Sequence, residues 1–424
     1  MPIKGNRMQP WERRLNDLWL ILERCHDTYM EPELFRLNTN QFLQTSRTVT
    51  FIIQKNKNYL SGFDQWYQQI TTEWGHDKVM NWAKDSRNTI EKEGDLDLHS
   101  TLDLTLFWSY IIEQDVSIST GRTELLQAGT KRLIRLARKI LPSGLINSSA
   151  VRIERKWVAN TLPDWELLHA FNYIYATLHQ LCMEFSLRMG RSFDVAIPNP
   201  TDLLSARETA RMVRYLKLSD LEVHSQRTER VWFDRSKISE ERLNLIEPLK
   251  FSMEKSATMD DVFETICNMA SSTFEHDGYH VPMMFLYGDE MRPIDFLSMH
   301  FGDRVDKYIF WRNAAERMIA TKSKLVVNIG EAWIRDHSRY SDSEGIDALP
   351  ITGERLFVTA LDSSGNYRSA SWDIIRQNDE SKPSLKKCDS GKHDNDAPFY
   401  YAPILHALGL PYSKQITEEW RPGT

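Results

Sequence analysis

Arg87 and Asn88 stand on a helical stretch that runs on through Glu91, Lys92, Glu93, Asp95 and His99, and their side chains suit phosphoryl chemistry. A guanidinium can stabilise the phosphorane-like transition state of RNA cleavage. Metal-independent cleavage also needs a base for the 2′-hydroxyl and an acid for the leaving oxygen, roles that imidazole fills near neutral pH. The next histidine downstream, His99, lies beyond Gly94, a residue suited to closing the helix in a left-handed turn. Arg87 thus lacks an acid–base partner close in sequence, and its i, i+4 relation to Glu91 offers an ordinary ion pair as the competing role.

A second candidate is Glu331 in the stretch KLVVNIGEAWI, where strand geometry puts Val327, Ile329, Glu331 and Trp333 on one face. A carboxylate among apolar neighbours is either a base with a raised pKa or one half of a structural pair, with Arg312 and Arg317 as the expected partners. His276, Asp277 and His280 have the side chains of a metal site, but Gly278 interrupts the helical spacing such a site uses, and no third ligand is near in sequence. No metal is expected. His169 and His179 are ten positions apart on one helix, too distant to share an ion.

The third feature is charge. Between Gly121 and Trp157 the chain carries nine basic residues against Glu124 and Glu154, although the whole sequence has 53 Lys+Arg, 59 Asp+Glu and a formal charge of −6. At helical periodicity Lys131, Arg132, Arg135, Arg138 and Lys139 fall in an arc of roughly 120°, with Leu126, Gly129, Leu133, Leu136 and Ile140 opposite. Such a cationic stripe matches phosphate neutralisation, with affinity falling steeply in salt. The competing reading is a solvated face paired with neighbouring carboxylates. Aromatic residues that would stack single-stranded bases are not interleaved with these charges.

The helix around Arg87-Asn88, ending at Gly94-Asp95, resembles the HEPN superfamily of helical proteins. Its ribonuclease members carry an Arg, usually followed by a polar residue such as Asn, with a His four to six positions on. Here those positions hold Glu91, Lys92 and Glu93, so the resemblance implies an RNA-associated protein without the usual nuclease activity. It covers about the first quarter of the chain. It further implies a homodimer with the Arg segments meeting at the interface, and a role in defence against phage or mobile elements. Two other readings stand beside it: a non-catalytic interaction protein, and a nuclease with an altered acid–base set drawn from Asp95 or Glu331.

The elements that must carry these residues follow from periodicity. Trp11, Leu15, Leu18, Leu22 and Cys25 mark one helix, and Phe42, Ser46, Val49 and Ile53 a second. Trp66, Ile70 and Trp74 lead to the helix of Val79, Trp82, Ala83, Ser86 and Ile90, so the first hundred residues read as four helices. The stretch from Leu96 to Leu106 suits a strand or a helix start. Pro163-Asp164 is expected to open a long helix through Phe185 with Asp164 as N-cap, and another helix is expected over about 201–218.

Residues 1–222 thus read as a mainly helical, HEPN-like domain and 223–256 as a linker. Residues 257–424 read as an α+β domain with a largely antiparallel sheet, built from strands near 282–287, 324–334, 355–361 and 367–376 and helices near 259–274 and 305–322. Asp362 to Asn366 has hairpin chemistry, and 377–396 reads as a polar loop.

At 424 residues with 41% hydrophobic and 26% charged residues, the composition is that of an ordinary globular protein. No apolar run approaches the roughly 20 residues of a membrane helix, and the polar start lacks a signal-peptide core. A cytoplasmic location is expected. Cys25, Cys182, Cys267 and Cys388 are widely spaced, which argues for free thiols. GxSxG, Walker A, Rossmann and HExxH motifs are absent, and no cofactor is expected.

Overall fold

The computed structural model describes residues 8–119, 126–200, 212–219, 239–240, 258–336, 349–376, 382–388 and 397–412. The protein is α+β. Its chain forms two compact units, one of residues 1–106 with 116–226 and the other of residues 107–115 with 227–424. The expected linker, 223–256, lies outside the described residues apart from Ser239 and Glu240.

The first unit begins with four helices: α1 (Pro10–Asp27), α2 (Pro32–Lys55), α3 (Phe63–His76) and α4 (Lys78–Lys92). Proline at the first turn of α1 and of α2 sets φ where no amide donor is needed. Asp77 caps α4 by accepting the amides of Val79 and Met80 at 2.9 and 2.8 Å. After Lys92 the chain leaves the helix through Gly94, whose φ of +116° suits a residue without Cβ.

The bundle closes on a fifth long helix, α6 (Leu167–Arg188), which packs on α1, α2 and α4. Leu168, Phe171, Ile174, Tyr175, Leu178, Cys182 and Phe185 of α6 are all buried on one broad face, while Tyr173, Met183 and Leu187 form an exposed stripe. Trp11 donates its indole N–H to Ser186 at 2.9 Å, and Ser186 donates in turn to Glu12 at 3.1 Å, which satisfies the polar atoms at that seam.

Strands join these helices. β1 (Leu98–Phe107), β2 (Val116–Ser119), β3 (Ala150–Ala159), β4 (Leu162–Glu166) and β5 (Val213–Lys217) form a sheet in the order β2-β1-β3-β4, with β5 also pairing β3. Between β2 and β3 lies α5 (Thr130–Ile140). Among the described residues the first unit is therefore a bundle plus a five-stranded sheet, not a bundle alone.

Two local expectations change with it. Residues 162–166 pair with the end of β3, so α6 starts two residues later than expected, and its N-cap is Glu166, whose carboxylate accepts the His169 amide, in place of Asp164. Of the expected helix 201–218, residues 201–211 lie outside the described residues, and Val213–Lys217 is strand held antiparallel against Ala150–Glu154.

Among the described residues the second unit contains a six-stranded antiparallel sheet in the order β11-β10-β9-β8-β6-β7. Its strands are β6 (Met283–Tyr287), β7 (Pro293–Ser298), β8 (Leu325–Arg335), β9 (Ile351–Asp362), β10 (Tyr367–Ile375) and β11 (Ser384–Lys387). One face, with Val327, Ile329 and Val358, packs on α7 (Met259–Asp277) through Val262, Ile266 and Phe274. The other, with Met284, Leu286 and Val326, packs on α8 (Arg304–Ala320) through Trp311 and Met318, and on α9 (Ala402–Ala407) through Ile404 and Leu405.

Asp362 closes the β9–β10 hairpin by accepting the amides of Ser364 and Asn366 at 2.9 and 2.8 Å. Within the expected polar loop, Ser384–Lys387 is strand β11, while 377–381 and 389–396 lie outside the described residues.

Candidate nucleic-acid interface

α5 is amphipathic because Thr130, Leu133, Ile134 and Ala137 recur at three-and-four spacing and are all buried. Gly129 precedes it without a side-chain cap, and the Glu31 carboxylate lies 2.9 Å from where a Cβ on Gly129 would stand. The buried row differs from the expected one: Ile134 and Ala137 replace Leu136 and Ile140, and Ile140 is 44% exposed.

The nine basic residues of this region separate into groups. Arg122 lies outside the described residues. Arg155 is not on the surface at all. It is fully buried in β3, donates to the carbonyls of Leu126 and Ala128 at 2.8 and 2.5 Å, and lies over the Trp157 ring at 5.3 Å. Burial lowers its pKa to about 10 against the smaller opposing pull of Tyr29 and Glu31.

Arg152 and Lys156 both pair with Glu154, at 2.8 and 3.1 Å. Arg138, though on α5, donates to the carbonyls of Leu218 and Ser219 at 2.6 and 2.7 Å and so anchors the end of β5. Four cations remain on the outer face, Lys131, Arg132, Arg135 and Lys139, and all are exposed. Lys131, Arg135 and Lys139 have no ion-pair partner among the described residues.

The Arg87 region has a different character. Arg87 pairs with Glu91 at 2.7 Å and donates to the Asn88 side-chain oxygen at 3.2 Å. Asn88 is therefore engaged by its own neighbour. Asp95 is held by Arg36 and by the Asn40 amide, the latter at 2.5 Å. His99 stands in β1 and hydrogen-bonds the Asn160 side chain at 2.7 Å, so it is not on the helix with Arg87.

Glu331 lies at the half-buried end of β8 and accepts the His280 amide at 2.5 Å. Burial raises its pKa, and the amide partly offsets the rise. It does not pair with the arginines expected for it: Arg312 binds Asp115 and Arg317 binds Asp295. Trp333, expected on the same face, is 63% exposed.

His280 is buried with its pKa lowered by desolvation, and its Nδ1 hydrogen-bonds the Val281 carbonyl at 2.9 Å. His276 pairs with Asp277 at 2.7 Å. Among the described residues no cluster of three His, Cys, Asp or Glu side chains could hold a metal ion, and no helix is long and apolar enough to cross a membrane.

Charge counting found α5, but it missed that only part of the positive text stays on the surface. The alternation Val151, Ile153, Arg155, Trp157 with buried side chains was the available signal, since period two marks a strand with one face inward.

The description bacteriophage lambda protein ea47 belongs to a family model that matches residues 7–422. Protein ea47 of Escherichia phage lambda is 42% identical over 405 residues, covering 95% of this chain and 97% of that protein. No solved structure matches. With the match running nearly end to end through both units, the chain belongs to the bacteriophage lambda ea47 family.

Proposed function

We propose that this protein associates with nucleic acid, RNA in the first instance, by laying the phosphate backbone along the outer face of α5, and that it does not cleave it. The observation that carries this reading is the row of exposed Lys131, Arg135 and Lys139 without acidic partners among the described residues. Cations held by their own chain gain little from a phosphate, whereas solvated ones release counterions when they meet it. The absence of cleavage follows from Arg87, which is taken up by Glu91 on a helix that offers no imidazole. Asp95 and Glu331 are each held by other groups, which disfavours an altered acid–base set. The HEPN-like reading of the first unit, a homodimer, and a role in contests between mobile elements belong to the same proposal.

Binding of labelled single-stranded RNA by the full chain, followed across a salt series, tests it. The triple variant Lys131→Glu, Arg135→Glu, Lys139→Glu should weaken binding and flatten the slope of log affinity against log salt by about 2. No binding at low salt, or binding indifferent to the three reversals, rejects the reading.

A protein-interaction role is favoured by a different observation. Ile294 and Phe296 project from the edge strand β7 at 39% and 50% exposure, and exposed apolar side chains on a sheet edge suit pairing with another chain. Size-exclusion behaviour with Phe296→Lys separates this reading, since only edge pairing responds to it.

A further inference from the structure

The helical bundle of the first unit holds a pocket of about 200 Å³ between α2, α3, α4 and α6. Its lining is divided in chemistry. Ile174, Leu178 and Met80 give an apolar wall, the Trp74 indole a half-exposed ring surface, and Arg47 and Lys84 two cations.

Arg47 is anchored but not neutralised. It donates to Thr50 at 3.2 Å and lies 4.5 Å over the Phe51 ring, and it has no carboxylate partner among the described residues. Lys84 donates to Asn81 at 2.9 Å and has Asp85 at 3.5 Å, so it stays on the rim as a partly screened charge.

Behind the lining residues Thr50 and Gln54, whose side chains are the hydrogen-bond neighbours of its hydroxyl, stands Tyr67, 7% exposed. The Arg47 guanidinium therefore remains the positive charge available to an incoming oxygen. Apolar walls with a few convergent polar groups are the usual make-up of a small-molecule site.

We propose that this pocket binds a small anion that joins a planar ring to a charged oxygen group, the chemistry presented by a nucleoside monophosphate. The ring lies against Trp74, where stacking contributes beyond area burial, and the anionic oxygens meet Arg47, whose planar fork suits them. Gln54 on the lining adds a polar amide beside the apolar wall. This site is separate from α5 and does not depend on the reading of α5.

Isothermal titration of the full chain with each of the four ribonucleoside 5′-monophosphates, and with inorganic phosphate, tests the proposal. Saturable binding of at least one nucleotide is expected, with Arg47→Ala and Trp74→Ala each lowering affinity by tenfold or more. Trp74→Phe should keep most of the binding, and the exposed change Lys84→Glu should weaken it in a chain that folds normally. The α5 triple reversal should leave it unchanged, so failure here and failure of RNA binding are distinguishable. Absence of saturable binding by all four nucleotides, affinity indifferent to Lys84→Glu and Trp74→Ala, or inorganic phosphate binding as tightly as any nucleotide would each overturn the assignment.

Discussion

Arg312 and Asp115 form a two-hydrogen-bond ion pair at 2.7 and 2.9 Å inside the second unit, with their side chains only 6% and 9% exposed. The guanidinium also donates to the Ser109 carbonyl at 2.9 Å and lies 4.3 Å over the Phe107 ring. Residues 107–115, which begin at the last residue of β1, belong to this unit, and Tyr110 packs edge-on against Tyr308 at 4.8 Å. The pair fastens that segment to α8.

Breaking the pair from one side leaves a buried charge without its partner. Arg312→Met should destabilise the second unit by about 3–5 kcal/mol, while the double variant Arg312→Met with Asp115→Leu should recover most of the loss. Urea unfolding followed by tryptophan fluorescence checks it. A single variant as stable as the parent would rule out a fastening role.

Asp115 also makes stability depend on pH. Burial pushes its pKa up from 3.8 to about 6 against the opposing pull of Arg312, with Glu113 adding to the rise. The folded state therefore holds this proton more tightly than the unfolded state. Its contribution is fully present below about pH 4 and is lost as pH rises through about 6, a change on the order of 3 kcal/mol. Unfolding free energies measured between these limits should fall more steeply for the parent than for Asp115→Asn. Parallel profiles would refute the assignment.

Arg87→Ala should cost only a few tenths of a kcal/mol, the worth of a partly exposed i, i+4 pair on a helix. RNA incubated with either protein should remain intact, with or without divalent metal. Degradation by the parent that disappears in the variant would restore a catalytic role to Arg87.

Arg138 and Lys139 are neighbours on α5 with different duties. Arg138→Ala removes two bonds to the carbonyls of Leu218 and Ser219 and should destabilise the first unit by about 1–3 kcal/mol. Lys139→Ala should leave the melting temperature unchanged and lower RNA affinity at low salt. Equal melting temperatures for the two variants would contradict the division.

The thiols should react in order of exposure. Cys25 and Cys182 are buried, and burial drives their pKa values far up, so they should react with a thiol reagent only after unfolding. Cys267 is partly exposed, yet burial pushes its thiol up to about 12, which should make it slow. Cys388 should therefore be labelled first, as peptide mass spectrometry after brief exposure would reveal. Prompt labelling of Cys182 would contradict the packing of α6.

The sequence by itself determined what local periodicity and local chemistry control. Trp11, Leu15, Leu18 and Leu22 mark α1 because burying one stripe of a helix requires that spacing, and Asp362 to Asn366 marks a hairpin because the turn is held by its own side chain. The cationic face of α5 was legible for the same reason, as was the Arg87–Glu91 pair as an alternative to catalysis.

Tertiary structure alone decided how the charges are used. Arg155 is inside because the alternation along β3 turns its side chain toward the carbonyls of Leu126 and Ala128, and Arg138 faces carbonyls at the end of β5, which pairs with β3 some sixty residues away in sequence. Asp115 and Arg312, 197 positions apart, meet because the segment after β1 belongs to the unit that contains α8. A residue type announces a charge, but whether water, a carbonyl or a carboxylate faces it depends on contacts between strands and helices distant in sequence, where the cost of burying an uncompensated charge selects the partner.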